Sequence, residues 1–385
     1  MSEKSGVVSF GNWIRDKARF AERGAPMLDP AALQTMLRDG AVDPGRLADC
    51  LARGDMARLG PAVRHPIITE GTLTPISAIE EGTGGCPYNL LLDIAKLKTE
   101  MRLGAIGIVG KDADGQIILD DLDRYGIDRS GMRMLDTPGT SFTDVYQPAG
   151  GNRGFGHFSV LTNDKLSYDD IRANLGFIGK HRICHAGYAL LLAGLDAPDE
   201  EHGTQMARAL KDIKGRGVKT SLAVVSDRDS SRFPRIVRPS LGYTDVFMPN
   251  EYEAGCTTGI DVKDRRTAED AARKMFDEFG VGELVVIHMG EKGSLGRLRD
   301  GRTHYQPAHK VEKVAGTAGA GDAFEAGMLY ELHEALAEGR PPNLEYGMRL
   351  GTAMAAICLG GRTCTDSMLD LLETLAFMRI TPYRK

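Results

Sequence analysis

The sequence predicts an α/β protein in which helices flank a central, mostly parallel sheet. From residue 182 onward, short apolar runs typical of strands alternate with longer segments of helical periodicity, the pattern of strands joined by crossover helices. An apolar run at 7–10 supplies a further strand, and helical periodicity at 344–359 and 367–378 closes the chain. The length of 385 residues suits either one large α/β domain with an appendage or two domains.

Composition and charge argue against several classes of protein. With 42% hydrophobic residues, 26% charged residues and a net charge of −5, the chain resembles an ordinary globular protein that does not bind nucleic acid. The six cysteines lack CxxC spacing, which favours reduced thiols and a cytoplasmic location. The N-terminus is too polar for a signal peptide, and no apolar run approaches the ~18 residues that a membrane span needs.

The first predicted strand ends in Gly11 and Asn12, and Asp16 follows shortly after. Because ligands of open α/β sheets bind outside the carboxyl ends of strands, Asn12 and Asp16 are candidate substrate-binding residues. The alternative for Asp16 is an acid in a surface turn.

Residues 24–66 differ from the rest of the chain and predict a helical insertion. Two segments, 29–37 and 43–51, share an Asp as N-cap, a Pro at the first helical position, apolar residues four apart and a Gly soon after. This pattern predicts a helical hairpin. It is either a partner-binding or oligomerisation surface or a packing feature without further function.

Strand patterns at about 67–80 and 140–161 predict a second, smaller set of strands, the latter pair around a Gly-Gly-Asn turn. Between these regions a glycine loop opens a helix. Gly84 and Gly85 allow the backbone to approach a small polar ligand. Asn89, one turn into the helix, offers both a hydrogen-bond donor and an acceptor.

Asn250 and Glu253 stand three residues apart at a predicted helix start, directly after a strand predicted at 245–248. One amide and one carboxylate at this place can hold waters around Mg²⁺, which keeps much of its hydration shell. The alternative is an N-cap followed by a surface acid. Farther along, a predicted strand runs into a turn that contains Gly290 and Gly293.

A glycine loop near the C-terminal end leads directly into a predicted helix. Gly316, Gly319 and Gly321 allow close approach of the backbone, and the helix N-terminus offers unpaired N–H groups and a positive dipole end to an anion. Asp322, at the helix start, suits a base for a hydroxyl that attacks the anion. The pattern therefore indicates phosphoryl transfer to an alcohol. The alternative is an ordinary loop with Asp322 as N-cap.

Five motifs in this order resemble the signatures of the ribokinase/PfkB family of sugar kinases. They are Gly84-Gly85-x-x-x-Asn89, Gly107-x-Val109-Gly110-x-Asp112-x-x-Gly115, Asn250-x-x-Glu253, Gly290-x-x-Gly293 and Thr317-Ala318-Gly319-Ala320-Gly321-Asp322. The last is similar to six of the seven positions of the family's C-terminal signature. The chain departs from the family pattern at Ala223, His288 and Gly316, where relatives have Asp, Thr and Asp.

The resemblance implies a ribokinase-like fold, with the strands at 67–80 and 140–161 as a small β lid beside the insertion. It also implies an ATP-dependent kinase that phosphorylates a sugar, a polyol or a similar small molecule. The implied catalytic residues are Asp322 as base and Gly319, Ala320 and Gly321 as the anion hole. The implied substrate-binding residues are Asp16, Asn12, Gly84, Gly85 and Asn89. The implied ATP-binding residues are Asn250, Glu253, Gly290, Gly293 and Thr317, of which the first two hold Mg²⁺ through water. Asp112 is implied as a helix cap.

Three alternatives stay open from the sequence: a nucleoside kinase, a catalytically weak relative that binds sugar or nucleotide, and an interaction protein built around the insertion. Gly316 removes one carboxylate from the family's monovalent-cation site, so the sequence leaves a K⁺ requirement open. A homodimer that pairs through the lid is a further expectation from the resemblance.

Overall fold

The computed structural model describes residues 4–21, 66–69, 72–147, 154–158 and 161–384, so the predicted insertion lies outside it except for residue 66, which begins a strand. The strands are β1 Val7–Gly11, β2 Ile14–Ala21, β3 Pro66–Thr69, β4 Thr72–Gly84, β5 Leu103–Gly110, β6 Asp128–Leu135, β7 Phe142–Gln147, β8 Gly154–Phe158, β9 Ile183–Ala189, β10 Pro198–Asp199, β11 Gly203–Thr204, β12 Lys219–Val224, β13 Val246–Phe247, β14 Leu284–His288, β15 Ser294–Leu298 and β16 Thr303–Gln306. The α-helices are Cys86–Lys96, Ala113–Arg124, Tyr168–Ala173, Leu175–Ile178, Ala193–Asp196, Gln205–Gly215, Arg238–Leu241, Glu251–Thr258, Arg265–Asp277, Ala320–Glu338, Leu344–Cys358 and Leu371–Ile380.

The chain divides into two compact units. The first unit comprises Met1–Trp13, Gly84–Thr140 and Leu161–Lys385, and the second comprises Ile14–Thr83 and Ser141–Val160. No helix of the described ranges combines the length and the apolar composition needed to cross a bilayer.

The first unit is built on a nine-stranded sheet of order β16-β15-β14-β13-β12-β9-β1-β5-β6. Pairing is parallel from β14 through β6 and antiparallel for β14 with β15 and for β15 with β16. β1 and β5 are buried along their whole length, as expected for inner strands of a parallel sheet covered on both faces. The predicted central, mostly parallel sheet is therefore confirmed.

Alternation along β1 shows that two separate cores cover the two faces of this sheet. Val8 and Phe10 belong to one hydrophobic cluster and Val7 to the other, as the two-residue period of a strand requires. β14 repeats the division, with Val285 in the first cluster and Val286 in the second. The helices of the first unit therefore pack on both faces, and the strand ends between them remain as the edge where ligands can bind.

The second unit contains a five-stranded sheet of order β3-β4-β2-β7-β8. β3 pairs with β4 and β7 with β8 in antiparallel fashion, whereas β2 pairs with β7 in parallel. Asp16 lies on β2 opposite Thr143, so it is a strand residue and not the turn acid that the sequence left as an alternative. Within this unit the buried Arg15 donates through Nη1 to Thr83 Oγ1 at 2.8 Å.

Asp112 caps the helix that follows β5 in the first unit. Its carboxylate accepts hydrogen bonds from Gly115 N at 2.8 Å, Thr140 N at 2.7 Å and Thr140 Oγ1 at 2.6 Å. It is the N-cap of the helix Ala113–Arg124, which confirms the predicted cap. Partial burial acts to raise the pKa of Asp112, but the hydrogen bonds outweigh burial and leave the pKa lowered.

Replacement of Asp112 by alanine is expected to reduce the free energy of unfolding by about 1–2 kcal/mol at neutral pH, because three donors lose their acceptor. Since the folded-state pKa is lowered, this contribution is present above the ordinary pKa of an Asp and is lost as the pH falls through the lowered value. Urea denaturation at pH 7 and at acid pH measures both effects.

The matched control for this cap is Asp120→Ala on the same helix. Asp120 is exposed and accepts one side-chain bond, from Gln116 Nε2 at 2.7 Å, so its removal should cost less than about 0.5 kcal/mol. Equal losses in the two variants would contradict the capping role of Asp112.

Candidate active site

Asp322 lies in the first turn of the helix Ala320–Glu338 and is only 4% exposed. Gly319 precedes the helix in the left-handed conformation, with a φ of 81°. The hydrogen bond from Ala323 N to Gly319 O, at 2.8 Å, is of the i to i−4 type found within α-helices. The N–H groups of residues 320–322 come before this bond and have no i−4 partner within the helix. The result is a buried carboxylate beside a helix N-terminus, an arrangement that pairs a base with donors for an anion.

Three side chains, Asn89, Tyr188 and Cys86, contact the Asp322 carboxylate. Asn89 donates through Nδ2 to Oδ2 at 2.8 Å, and the Tyr188 hydroxyl donates to Oδ1 at 2.6 Å. Burial raises the pKa of Asp322, whereas the hydrogen bonds from Tyr188, Asn89 and Cys86 act in the opposite direction. A carboxylate that accepts two oriented bonds is well placed to take a proton from a hydroxyl.

The glycine loop at the end of β4 positions Asn89. Gly84 is the last residue of β4, and Gly85 is the N-cap of the helix Cys86–Lys96 with a φ of 95°. Asn89 N donates to Gly85 O at 2.9 Å, and Asn89 is buried. Its Oδ1 atom has no hydrogen-bond partner within the described part of the chain. This amide thus contacts the predicted base and keeps one acceptor atom available for a ligand.

Asn12 lies where β1 ends, next to the end of β9. Asn12 N donates to Gly187 O at 3.0 Å, and Asn12 Oδ1 accepts from Tyr188 N at 3.1 Å. The side chain of Asn12 therefore positions the residue whose hydroxyl contacts Asp322. Asp16 belongs to the second unit, on β2.

Asn250 and Glu253 form a closed hydrogen-bonded network with Ser226. Asn250 Oδ1 accepts from Glu253 N at 2.9 Å, and Glu253 Oε2 accepts from Asn250 N at 2.9 Å, which together form a capping box. Ser226 Oγ donates to Glu253 Oε1 at 2.8 Å, and Asn250 Nδ2 donates to Ser226 Oγ at 2.9 Å. Burial outweighs these bonds and raises the pKa of Glu253 to about 7.

The predicted glycine turn after β14 is present. Gly290 begins a short 3₁₀ turn, and both Gly290 and Gly293 have positive φ angles, 54° and 85°. A Cβ at Gly293 would lie 2.2 Å from Gln306 O, so only glycine fits there. His288, at the end of β14, packs edge-on against Phe324 with ring centroids 4.3 Å apart, and burial lowers its pKa to about 4. The His288 ring therefore contacts the helix that carries Asp322.

The loop before that helix lies against a C-terminal turn. Ala315 N donates to Leu359 O at 2.8 Å, and Gly316 N approaches the same carbonyl at 3.4 Å. Thr317 follows in this loop. The backbone that precedes Gly319 is thus held by the chain immediately after the helix Leu344–Cys358.

Sequence reasoning missed Tyr188, Ser226 and Cys86 as neighbours of the site. One signal could have indicated the first two: Tyr188 lies near the carboxyl end of β9 and Ser226 two residues after β12, where ligands of parallel sheets bind. Cys86 carried no such signal, because its position depends on how three elements pack.

The sequence is similar to those of known carbohydrate kinases. The family model described as pfkB family carbohydrate kinase matches residues 55–371. The 5-dehydro-2-deoxygluconokinase of Lacticaseibacillus casei is 27% identical over 305 residues, which cover 77% of this chain and 86% of that protein. The enzyme of the same name from Geobacillus kaustophilus is 27% identical over 307 residues, 77% of this chain and 84% of that protein.

Solved structures show the same fold at low identity. Ribokinase from Giardia lamblia has a TM-score of 0.72 at 17% identity and covers 97% of this chain and 99% of its own. Arabidopsis thaliana ribokinase complexed with ribose and ATP has a TM-score of 0.68 at 21% identity and covers 98% and 99%. The predicted ribokinase-like fold is therefore confirmed.

The parallel sheet, the glycine-led helix N-terminus and these similarities together define a kinase that phosphorylates an alcohol group. The chain belongs to the pfkB family of carbohydrate kinases, because the family model matches most of its length. The family suggested by the five motifs is thereby confirmed.

Proposed function

We propose that this sugar kinase transfers the γ-phosphoryl group of ATP to a hydroxyl of a sugar or sugar acid, with 5-dehydro-2-deoxygluconate as the first candidate. That candidate comes from curated relatives of that name, 22–27% identical to the chain. The observation that carries the mechanism is the buried Asp322 carboxylate in the first turn of a helix whose leading N–H groups precede the hydrogen-bonded ladder.

In the proposed mechanism Asp322 accepts the proton of the substrate hydroxyl as that oxygen attacks phosphorus. Asn89 and Tyr188 hold the two carboxylate oxygens in place, so the base does not have to reorient during the reaction. The N–H groups of the loop and first turn, residues 319–322, stabilise the charge that develops on the transferred phosphoryl group. The negative charge on the phosphoryl group is thus stabilised by backbone N–H dipoles that are already oriented in the folded protein.

The remaining predicted contacts stay proposals for this chain. Gly84, Gly85 and Asn89 would hold substrate hydroxyls beside Asp322, with Asn12 positioning Tyr188 and Asp16 contributing from the lid strands. Gly290, Gly293 and Thr317 would contact the nucleotide. A homodimer and a cytoplasmic location also stay predictions, and a K⁺ requirement stays open.

The residues Asn250, Glu253 and Ser226 fit a hydrated Mg²⁺. Their oxygens belong to the hard ligand type that Mg²⁺ takes, and the capping box holds two of the three side chains rigidly. When bound with ATP, Mg²⁺ would neutralise phosphate charge. Glu253 and Asn250 would bind the water molecules that surround such an ion.

Glu253→Gln is expected to raise the Mg²⁺ concentration for half-maximal velocity by about 10–100-fold, the usual cost of losing an outer-shell partner of a metal. Glutamine keeps the shape and can still accept the bond from Asn250 N, so the melting temperature should change little. The control is Glu251→Gln, an exposed acid in the same first turn, which should leave the Mg²⁺ dependence unchanged. An unchanged Mg²⁺ dependence in Glu253→Gln would contradict the assignment.

The proposed reaction is tested by ATP consumption with Mg²⁺ against sugars, sugar acids, polyols and nucleosides, including 5-dehydro-2-deoxygluconate. Turnover of a sugar acid would support the proposal. Turnover of nucleosides alone would replace it with a nucleoside kinase. Binding of ATP without turnover of any compound would favour the catalytically weak relative.

A further inference from the structure

Three potential metal ligands from three separate elements meet beside Asp322, which hydrogen-bonds to one of them, Cys86. Cys86 is the first residue of the helix Cys86–Lys96, His185 lies on β9, and Glu325 stands one turn after Asp322 on the helix Ala320–Glu338. Cys86 and His185 are fully buried, and Glu325 is 6% exposed. Their ligand atoms all lie within 4.8 Å of one another.

The spacing of these atoms suits a four-coordinate ion. His185 Nε2 is 3.0 Å from Cys86 Sγ and 3.5 Å from Glu325 Oε2. Around zinc, with bonds of about 2.0–2.3 Å and tetrahedral angles, neighbouring ligand atoms lie about 3.3–3.7 Å apart. The Cys86–His185 and His185–Glu325 separations are therefore close to those of ligands that share one ion. Cys86 and Glu325, within 4.8 Å of each other, close onto the same ion when it binds.

The residues around these three ligands resemble the outer shell of a metal site. Ser221 Oγ lies 3.1 Å from His185 Nδ1, which fixes the ring so that Nε2 points toward Cys86 and Glu325. Glu325 Oε2 is buried without a hydrogen-bond partner in the described part of the chain. A Cβ at Gly187 would lie 2.3 Å from Cys86 Sγ, so the absence of a side chain at Gly187 makes room for the thiol.

We propose that Cys86, His185 and Glu325 bind one Zn²⁺ ion, with a water molecule as fourth ligand. A thiolate and an imidazole select zinc over magnesium, which takes oxygen ligands. The ligands of this site differ from those of the proposed Mg²⁺ site at Asn250 and Glu253, and the inference does not depend on the proposed sugar substrate.

The role of the ion is structural. Its ligands tie together the helix that carries Asn89, the strand that leads to Tyr188 and the helix that carries Asp322. These are the three side chains of the hydrogen-bonded arrangement around the base. Zinc would fix their relative positions, and its binding free energy would add to that of folding.

The test uses the full chain, free of any affinity tag, purified without chelator and dialysed against metal-free buffer. Mass-spectrometric metal analysis should find one zinc per chain. Replacement of zinc by Co²⁺ should produce the visible and near-ultraviolet absorption of a cobalt–thiolate bond. Zinc removal should lower the melting temperature, and stoichiometric Zn²⁺ should restore it.

Cys86→Ala should lose the zinc and the cobalt–thiolate absorption. The matched control is Cys184→Ala, because Cys184 is equally buried on β9 next to His185 but lies outside the three-residue cluster. This control should keep both signals. Wild-type protein without zinc and without the cobalt–thiolate absorption overturns the proposal, even if Cys86→Ala does not fold. Zinc that persists in Cys86→Ala also overturns it.

Discussion

Replacement of Asp322 by asparagine is expected to lower kcat by about two or more orders of magnitude, the usual contribution of a positioned general base. Asparagine has nearly the same size and can still accept the bond from Tyr188 through its amide oxygen. It cannot take a proton from the substrate hydroxyl. Nucleotide affinity should change little, because the backbone N–H groups of residues 320–322 remain in place.

Steady-state kinetics with ATP and the preferred substrate measure the effect, and titration of ATP binding separates binding from chemistry. The control is Glu334→Gln, which removes a more exposed carboxylate from the same helix. Near-normal turnover of Asp322→Asn, with Glu334→Gln unchanged, would exclude Asp322 as the base.

The second large effect is expected at Gly319. Alanine there would have to adopt the left-handed conformation, which costs roughly 1–2 kcal/mol. Its Cβ would also lie 2.8 Å from Cys364 Cβ and 2.9 Å from Cys364 O. The loop must therefore move, and the N–H groups that follow move with it. Turnover should fall at least tenfold, and the melting temperature should fall with it.

Gly321→Ala is the matched comparison two residues away. Gly321 lies within the helix, and no atom of the described chain is within 4 Å of a Cβ there. Alanine should keep or slightly raise stability, since it suits a helix better than glycine. Turnover should still fall, because the methyl group would stand where we place the phosphoryl group. Equal melting temperatures for the two variants would contradict the conformational argument for Gly319.

The parts of the fold and site that sequence could predict are those set by local chemistry. The mainly apolar run at 7–10 predicted a strand, and the structure shows β1 as an inner strand buried on both faces, which needs no alternation. The Asn250–Glu253 spacing predicted a helix start because a capping box is completed within four residues. The glycines before Asp322 predicted a helix N-terminus because the left-handed conformation of Gly319 depends on that residue and its near neighbours alone.

The contacts that sequence could not predict join distant residues. Asn89 and Asp322 are 233 positions apart, and Tyr188 and Asp322 are 134 apart. Both pairs depend on how the helices pack against the ends of β4 and β9. The sequence assigned Asn89 to the substrate alone, whereas in the structure its amide donates to the Asp322 carboxylate. The cluster of Cys86, His185 and Glu325 could not be predicted either, because its three residues are far apart in the sequence.

The strand order also constrains how the protein is made. β1 leaves the ribosome early, yet its neighbour β9 follows about 170 residues later. At roughly 5–20 residues per second, synthesis of that interval takes about 10–35 s. During that time one edge of a fully buried, mainly apolar strand has no native partner, and the helix of Asp322 is synthesised later still. Nascent chains of this kinase should therefore need chaperone protection, and forms that stop before residue 322 should lack the proposed catalytic base.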